Sequence, residues 1–235
     1  MKYHLMSKHL FIGFAICFLA LACGNTKKTV ETKPSQSTDY INPQSDIAIT
    51  GSVNFDNEES LTIYSAIIKN VIGDKAGAYI GNEMDKIASQ LQETIDYSEL
   101  LRAGEGLILE FNSTSDFYFN TGKTNLNYNS KQNLDIIASV LKENPKVHLI
   151  IETHTDANGN EEVNMQLSQE RVQSIKDYLV EKGIDASRIK TKAFGENQPK
   201  VNNDTKENRQ RNRRVEFGFY ASEELKEEAL TQTND

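Results

Sequence analysis

The stretch Ile150–Arg171 constrains the fold more than any other part of this 235-residue chain. A largely apolar, β-branched run (Val147 to Ile151) leads into Thr153-His154-Thr155-Asp156, then a loop with Gly159, then a helical pattern. A run of that kind reads as a strand, and Asp156 falls where the strand ends. Asn164, Leu167 and Arg171 follow at offsets of three and four, so all three project from one side of the helix. Such a helix can fold Arg171 back toward Asp156. The expected product is a small pocket with one carboxylate, one guanidinium and the free N–H groups of a helix start. It suits a zwitterion that carries both an amine and a carboxylate.

The flanking segments extend this unit into a sheet. Gly104-Glu105-Gly106 marks a turn, and Leu107 to Phe111 reads as a strand, followed by a second short strand over Asp116–Phe119. A helix is expected from about Asn127 to Asn144, with Leu134, Ile137, Ala138 and Leu141 on one face and Pro145 as its stop. The helix Glu161–Lys182 ends at Gly183. A strand over Arg188–Phe194, a short helix near Thr205–Gln210 and the alternating strand Val215–Phe219 complete the pattern. Strands alternating with helices imply right-handed crossovers. The expected class is α+β: a mixed β-sheet with a βαβαβ-type core and helices on one face. Residues 221–235 read as a charged C-terminal tail.

Residues 47–106 show helical spacing in two runs, Leu61 to Ile72 and Ile80 to Ile95. Between them Gly73, Gly77 and Gly81 fall four apart, an interval that lets helices approach closely. Asp74 and Lys75 interrupt the apolar stretch, so a soluble helical hairpin or a self-associating helix is expected rather than a membrane span.

The N-terminus is set apart by composition. Lys2, Lys8 and His9 precede an apolar run from Leu10 to Ala22 that is too short to span a bilayer, and Cys23 follows at once. Cys17 would leave with that segment, so Cys23 remains alone, and a lone thiol in an exported chain makes no disulfide framework. Residues 24–46 are rich in Thr, Ser, Lys, Asn and Pro and read as a flexible tether. Its reach is roughly 25 Å as a coil and about 80 Å at full stretch. Removal of residues 1–22 takes Lys2 and Lys8 and moves the formal charge from −8 to −10. An acidic body argues against nucleic acid and against an anionic membrane surface as partners.

Several motifs in register resemble known families. Ala20-Leu21-Ala22-Cys23 is similar to a bacterial lipobox, with Ala in place of the usual Leu or Val at its first position. The resemblance implies cleavage before Cys23 and acylation, as by palmitate, at its thiol and amine; a plain secretory signal cut near Ala22 is the alternative. Residues 107–220 resemble the OmpA-like peptidoglycan-binding domain, in its lipoprotein form. The resemblance is carried by Phe117-Tyr118-Phe119-Asn120, by Thr155-Asp156-x-x-Gly159 and by Asn164-x-x-Leu167-Ser168-x-x-Arg171. It continues through Gly183, Arg188, Phe194-Gly195-Glu196-x-x-Pro199 and Asn212-Arg213-Arg214-Val215-Glu216. The glycine-spaced segment is similar to a shortened glycine-zipper lead-in. Asn120, where many relatives have Asp, Thr153, where Gly is common, and Val172, where Ala is common, depart from the pattern.

What the resemblance implies is non-covalent binding of peptidoglycan through the diaminopimelate of its peptide stem. Asp156 and Arg171 align with the residues that carry this, and Thr155, Asn164, Leu167, Phe119 and Asn120 would shape the walls. The organisation it implies is a signal peptide over 1–22, a lipidated tether over 23–46, a helical glycine-spaced region over 47–106 and the binding domain over 107–220. Such a protein would be anchored in the outer membrane, its head in the periplasm, tethering membrane to wall.

Other readings compete. Asp156 and Arg171 taken alone also fit a structural ion pair between loop and helix. The chain also fits an envelope interaction scaffold, or a self-associating lipoprotein that uses residues 47–100. The arginines near 209–214 are expected in salt bridges of the terminal strand rather than on nucleic acid. His148 and His154 lack metal-site spacing, so neither a metal nor another cofactor is expected. No catalytic pair stands out among the carboxylates and Ser168 has no G-x-S-x-G elbow, so enzyme activity is not expected.

Overall fold

A computed structural model describes residues 62–69, 71–95, 98–115 and 117–233. The expected signal segment, the lipidation site Cys23 and the tether lie outside the described residues. The elements run α1 (Ile63–Lys69), α2 (Asp74–Thr94), β1 (Glu99–Ala103), β2 (Gly106–Asn112), α3 (Tyr128–Glu143) and β3 (Val147–His154). They continue with α4 (Glu161–Glu181), a 3-10 turn (Ala186–Arg188), β4 (Ile189–Gly195), α5 (Lys206–Asn212), β5 (Arg214–Ala221) and α6 (Glu223–Thr233). No helix among the described residues is long and apolar enough to cross a membrane.

The five strands form one sheet in the order β1-β2-β5-β3-β4. Only β3 and β4 pair in parallel, and α4 is the crossover between them, so β3-α4-β4 is the βαβ unit. β5 lies in the middle, antiparallel to β2 and to β3, and is buried along its whole length. Strand alternation sorts the side chains into two layers. Leu107, Leu109, Phe111, Leu149, Ile151, Phe217 and Phe219 face the main core, with the apolar stripes of α2, α3, α4 and α6. Ile108 and Ile150 face the other way and, with Tyr220, are covered by Ile63, Ala66 and Ile67 of α1. One helix thus lies on the face that the one-sided expectation left open. It fits because Gly218 has no side chain: a Cβ there would stand 2.8 Å from methyl carbons of Ile63 and Ile150.

Local chemistry sets the helix ends. Asn127 caps α3 by accepting from Ser130 N, Asn160 caps α4 by accepting from Glu162 N and Val163 N, and Thr205 caps α5 through Asn208 N. Gly183 takes a φ of 89° just past α4, which a residue with a Cβ adopts at a cost. Arg188 donates to the carbonyls of Leu141, Asn144 and Val147, stitching the end of α3 to the start of β3.

Several segments differ from the sequence reading. Residues 117–120 form no strand. Phe117 drops into the core beside Phe111 and Phe217, while the Tyr118 carbonyl accepts from Asn127 Nδ2 and Ser130 Oγ at the head of α3. With that carbonyl bound to α3, the segment joins no ladder. β1 was not anticipated, because five residues with one charged end carry too little periodicity. α2 packs Ile80, Met84, Ile87 and Leu91 into the same core as the sheet, and α6 buries Leu225 and Ala229 there. The tail is therefore a packed helix from Glu223 to Thr233.

The glycine row of α2 is filled from within the chain. Glu105, in the β1–β2 turn, accepts from Ile72 N and Gly73 N at the head of α2, and a Cβ at Gly77 would lie 2.2 Å from its Oε1. Arg102 of β1 donates to the Gly81 carbonyl at 2.7 Å. The β1–β2 hairpin uses the close approach that the glycine spacing offers at Gly77 and Gly81.

Candidate functional site

β3 ends in a register shift between Thr153 and His154, where its partner on β4 moves from Ala193 to Gly195. Thr155 N donates to the Gly195 carbonyl at 2.8 Å, which holds the next residue, Asp156, at the lip of the sheet. Gly195 has a φ of 54°, and a Cβ there would stand 3.0 Å from Met165 N, so its bare backbone lets α4 start against the sheet. Asn164 closes the corner by donating to the carbonyls of Asp156 and Asn158 and to Glu196 Oε2. Thr153 and Ser168, hydrogen-bonded to each other and to each other's backbone, fix the next turn of α4 on β3.

Asp156 is 7% exposed. Its Oδ1 accepts from Asn158 N at 3.0 Å, and its Oδ2 is held by Arg213 Nη1. Arg171 is 8% exposed and points its Nε and Nη2 at the carbonyls of Lys123 and Asn120, at 3.0 and 3.3 Å. Its guanidinium lies over the Phe119 ring, 5.0 Å from the centroid. Burial pushes its pKa down to about 10; the like charge of Arg213 adds to this, and the Asp156 carboxylate opposes it. Arg171 remains a cation at any physiological pH.

The geometry revises the sequence reading in one respect. Asp156 and Arg171 are brought to one corner, close enough to act on each other's charge, but the ion pair of Asp156 is with Arg213, not Arg171. The Nε edge of Arg171 holds the 120–123 turn. Arg213 also donates to Ser113 Oγ at 3.3 Å. Of the other arginines expected in salt bridges, Arg214 pairs with Glu216 on β5, whereas Arg209 donates to the carbonyls of Asn203 and Asp204.

A small cleft of about 30 Å³ opens beside these groups, lined by Ser113, Tyr118, Phe119, Arg171 and Arg213 among others. Asp156, Thr155, Asn164, Leu167 and Asn120 are not part of its lining. Asp156 meets the cleft through Arg213, and Asn120 contributes its carbonyl to Arg171. Thr155 is buried beside Asp156 with its Oγ1 lacking a protein partner, and Leu167 is half-buried on α4. A buried hydroxyl without a partner is costly unless something else supplies one. No metal-ligating cluster of His, Cys, Asp or Glu is present among the described residues. Two guanidiniums, one carboxylate and one unpartnered hydroxyl are gathered at this corner.

The sequence pattern of the OmpA family matches residues 118–213, which contain Phe119, Asp156, Arg171 and Arg213. Relatives include "Probable lipoprotein YiaD" of Escherichia coli, 33% identical over 154 residues, covering 65% of this chain and 69% of that protein. Outer membrane protein A of Bordetella avium is 40% identical over 108 residues, 46% of this chain and 56% of its own length. The peptidoglycan-associated lipoprotein of Pasteurella multocida is 36% identical over 84 residues, 36% of this chain and 56% of its own. The chain thus spans little more than half of the latter two. A crystal structure of a MotB-like protein from Desulfovibrio vulgaris shares the fold, with a TM-score of 0.55 at 20% identity, over 63% of this chain and 94% of that one. With its signature residues gathered at the end of β3 and a relative matched over most of its length, this chain belongs to the OmpA family.

Proposed function

We propose that the head binds peptidoglycan non-covalently by gripping the diaminopimelate residue of the peptide stem, and that acylation of Cys23 makes the protein a tether between outer membrane and wall. The observation that carries the reading is the buried pair Asp156 and Arg171, with the half-buried Arg213 on Asp156 and the Thr155 hydroxyl beside it. Relatives named as peptidoglycan-associated lipoproteins and outer membrane proteins support it.

In this reading Arg213 stands in for the ligand's ammonium. When diaminopimelate enters, its ammonium replaces the guanidinium on Asp156 Oδ2, and the Thr155 hydroxyl gains a partner. The released Arg213 and the Nη1 of Arg171 then take the ligand's carboxylate. One charge pair is exchanged for two, and Asp156 is never left unpaired. A pocket for a single amino-acid side chain binds weakly by itself. Many lipid-anchored copies facing one polymer offset this through effective concentration, and more than one acyl chain makes the anchor stable. The head acts by binding and makes or breaks no covalent bond.

The test is co-sedimentation of the chain from residue 24 onward with insoluble peptidoglycan. The parent protein is expected to pellet. Asp156→Ala should weaken binding by at least about tenfold, the loss of one charge-assisted partner. Arg213→Gln, which removes the guanidinium taken to receive the carboxylate, should weaken it as well. If Asp156→Ala stays folded and pellets like the parent, the assignment of this corner is wrong.

A further inference from the structure

The outer side of α4 carries a groove that the binding corner does not use. It has a volume of about 430 Å³ and is lined by Thr124, Gln169, Glu170, Gln173, Ser174 and Asp177. That volume falls in the range of small-ligand sites. Positions 170, 173, 174 and 177 share one side of the helix, since residues three and four apart stand one above the other. From Gln169 to Asp177 the groove follows about 12 Å of helix axis.

The groove starts where the corner ends. Glu170 directly precedes Arg171, and Ser174 follows it by less than one turn. Arg171 Nε donates to the Lys123 carbonyl at 3.0 Å, so the guanidinium that serves the corner also fixes the residue before Thr124. A polymer seated in the corner therefore has the groove within about two helix turns of Arg171.

The lining selects the chemistry of the occupant. Two hydroxyls, two amides and two carboxylates form the wall, with no cation and no purely apolar side chain among them. Both carboxylates are held in place: Asp177 Oδ1 accepts from Gln173 Nε2 at 2.6 Å, and Glu170 Oε1 from Gln166 Nε2 at 2.9 Å. Each carboxylate has a second oxygen, and Gln173 its amide oxygen, as further acceptors. Fixed acceptors beside hydroxyls match a neutral ligand dense in O–H and amide N–H donors. The two negative charges disfavour an anion such as a phosphate or a free carboxylate. A chain of N-acetylated sugars, the glycan of peptidoglycan, is a ligand of this kind and is joined covalently to the stem peptide. A stem spans about 3.5 Å per residue, so a sugar a few residues from the diaminopimelate falls within the length of the groove.

We propose that this groove is a saccharide subsite: Thr124, Gln173 and Asp177 hydrogen-bond the hydroxyl and acetamido groups of a glycan unit whose stem is seated at Asp156 and Arg171. The proposal rests on the reading of that corner as the diaminopimelate site. It gives the head a preference for the sugar-bearing stem over the free peptide. Each solvent-facing hydrogen bond contributes modestly, because water competes for the same partners. The groove therefore adds to the grip of the corner and does not replace it.

Calorimetry on the chain from residue 24 onward tests this with two soluble ligands, the stem peptide alone and the same peptide carrying its disaccharide. The parent should bind the disaccharide peptide about tenfold more tightly, the worth of one or two net hydrogen bonds. In the double variant Gln173→Ala, Asp177→Ala the two ligands should bind equally, with affinity for the free peptide as in the parent. Both positions are exposed on a helix and Ala is a good helix former, so the variant should keep its fold, checked by circular dichroism. Asp156→Ala, by contrast, should weaken both ligands by the same factor. Equal binding of the two ligands by the parent, or a sugar preference that survives in the double variant, overturns the groove and leaves the corner standing. Failure of both ligands to bind the parent overturns the corner reading and the groove with it.

Discussion

Replacing Arg171 with lysine separates two jobs that its position gives it. Nε and Nη2 donate to two carbonyls of the 120–123 turn, and the guanidinium plane lies over Phe119. An ammonium on a flexible stem keeps the charge but reaches one carbonyl and loses the flat contact. The loss is one hydrogen bond from a charged donor, about 1.5 kcal/mol, and a stacking contact of about 0.5–1 kcal/mol, together about 2 kcal/mol. The described body has close to 170 residues. At that size about 2 kcal/mol lowers Tm by about 4–8 °C. Wall binding should fall as well, because the turn bearing Phe119 and Asn120 loosens beside the cleft. Calorimetry gives the first quantity and peptidoglycan co-sedimentation the second. Loss of binding with Tm unchanged within about 1 °C would refute the reasoning: Arg171 would then act on ligand alone and hold nothing in place.

Two further perturbations probe the frame around the site. Arg188→Met removes the donors that the carbonyls of Leu141, Asn144 and Val147 share, and should cost about 3 kcal/mol, read as a fall in Tm of about 6–12 °C. Burial and Arg214 push His154 down to about 2, so its stabilising effect is present above its ordinary 6.5 and drains away as pH falls below it. Between pH 6.5 and 5 the parent should lose about 2 kcal/mol more than His154→Leu, measured by urea unfolding at each pH; equal losses would show that this imidazole does not resist protonation.

The elements around the site were legible because their signals are local. The cap residue Asn160, the α4 stripe and Gly183 lie within one segment, and α4 begins at the expected residue and ends within one of the expected end. The alternation of β5 from Val215 to Phe219 likewise places Phe217 and Phe219 in the core. β1 was missed because an edge strand of five residues has a partner only across a turn. The partnership of Arg213 with Asp156 was missed for a related reason. Arg213 was read as a member of the family signature and as a salt-bridge former, but nothing local says that its carboxylate is Asp156, 57 positions away. Its place just before β5, on the strand antiparallel to β3, was the one available signal: that pairing brings it beside the end of β3.

By itself the sequence determined the family, the order of most strands and helices, and the residues Asp156 and Arg171 as neighbours at one corner, because periodicity, caps and spacing are properties of contiguous segments. Only the tertiary structure decided which charge meets which. It paired Asp156 with Arg213, turned Arg171 onto backbone carbonyls, filled the glycine row of α2 with Glu105 and Arg102, and laid α1 over Glu152. Those choices depend on strand order and on burial, which fix distances between residues far apart in the chain and remove water from between them.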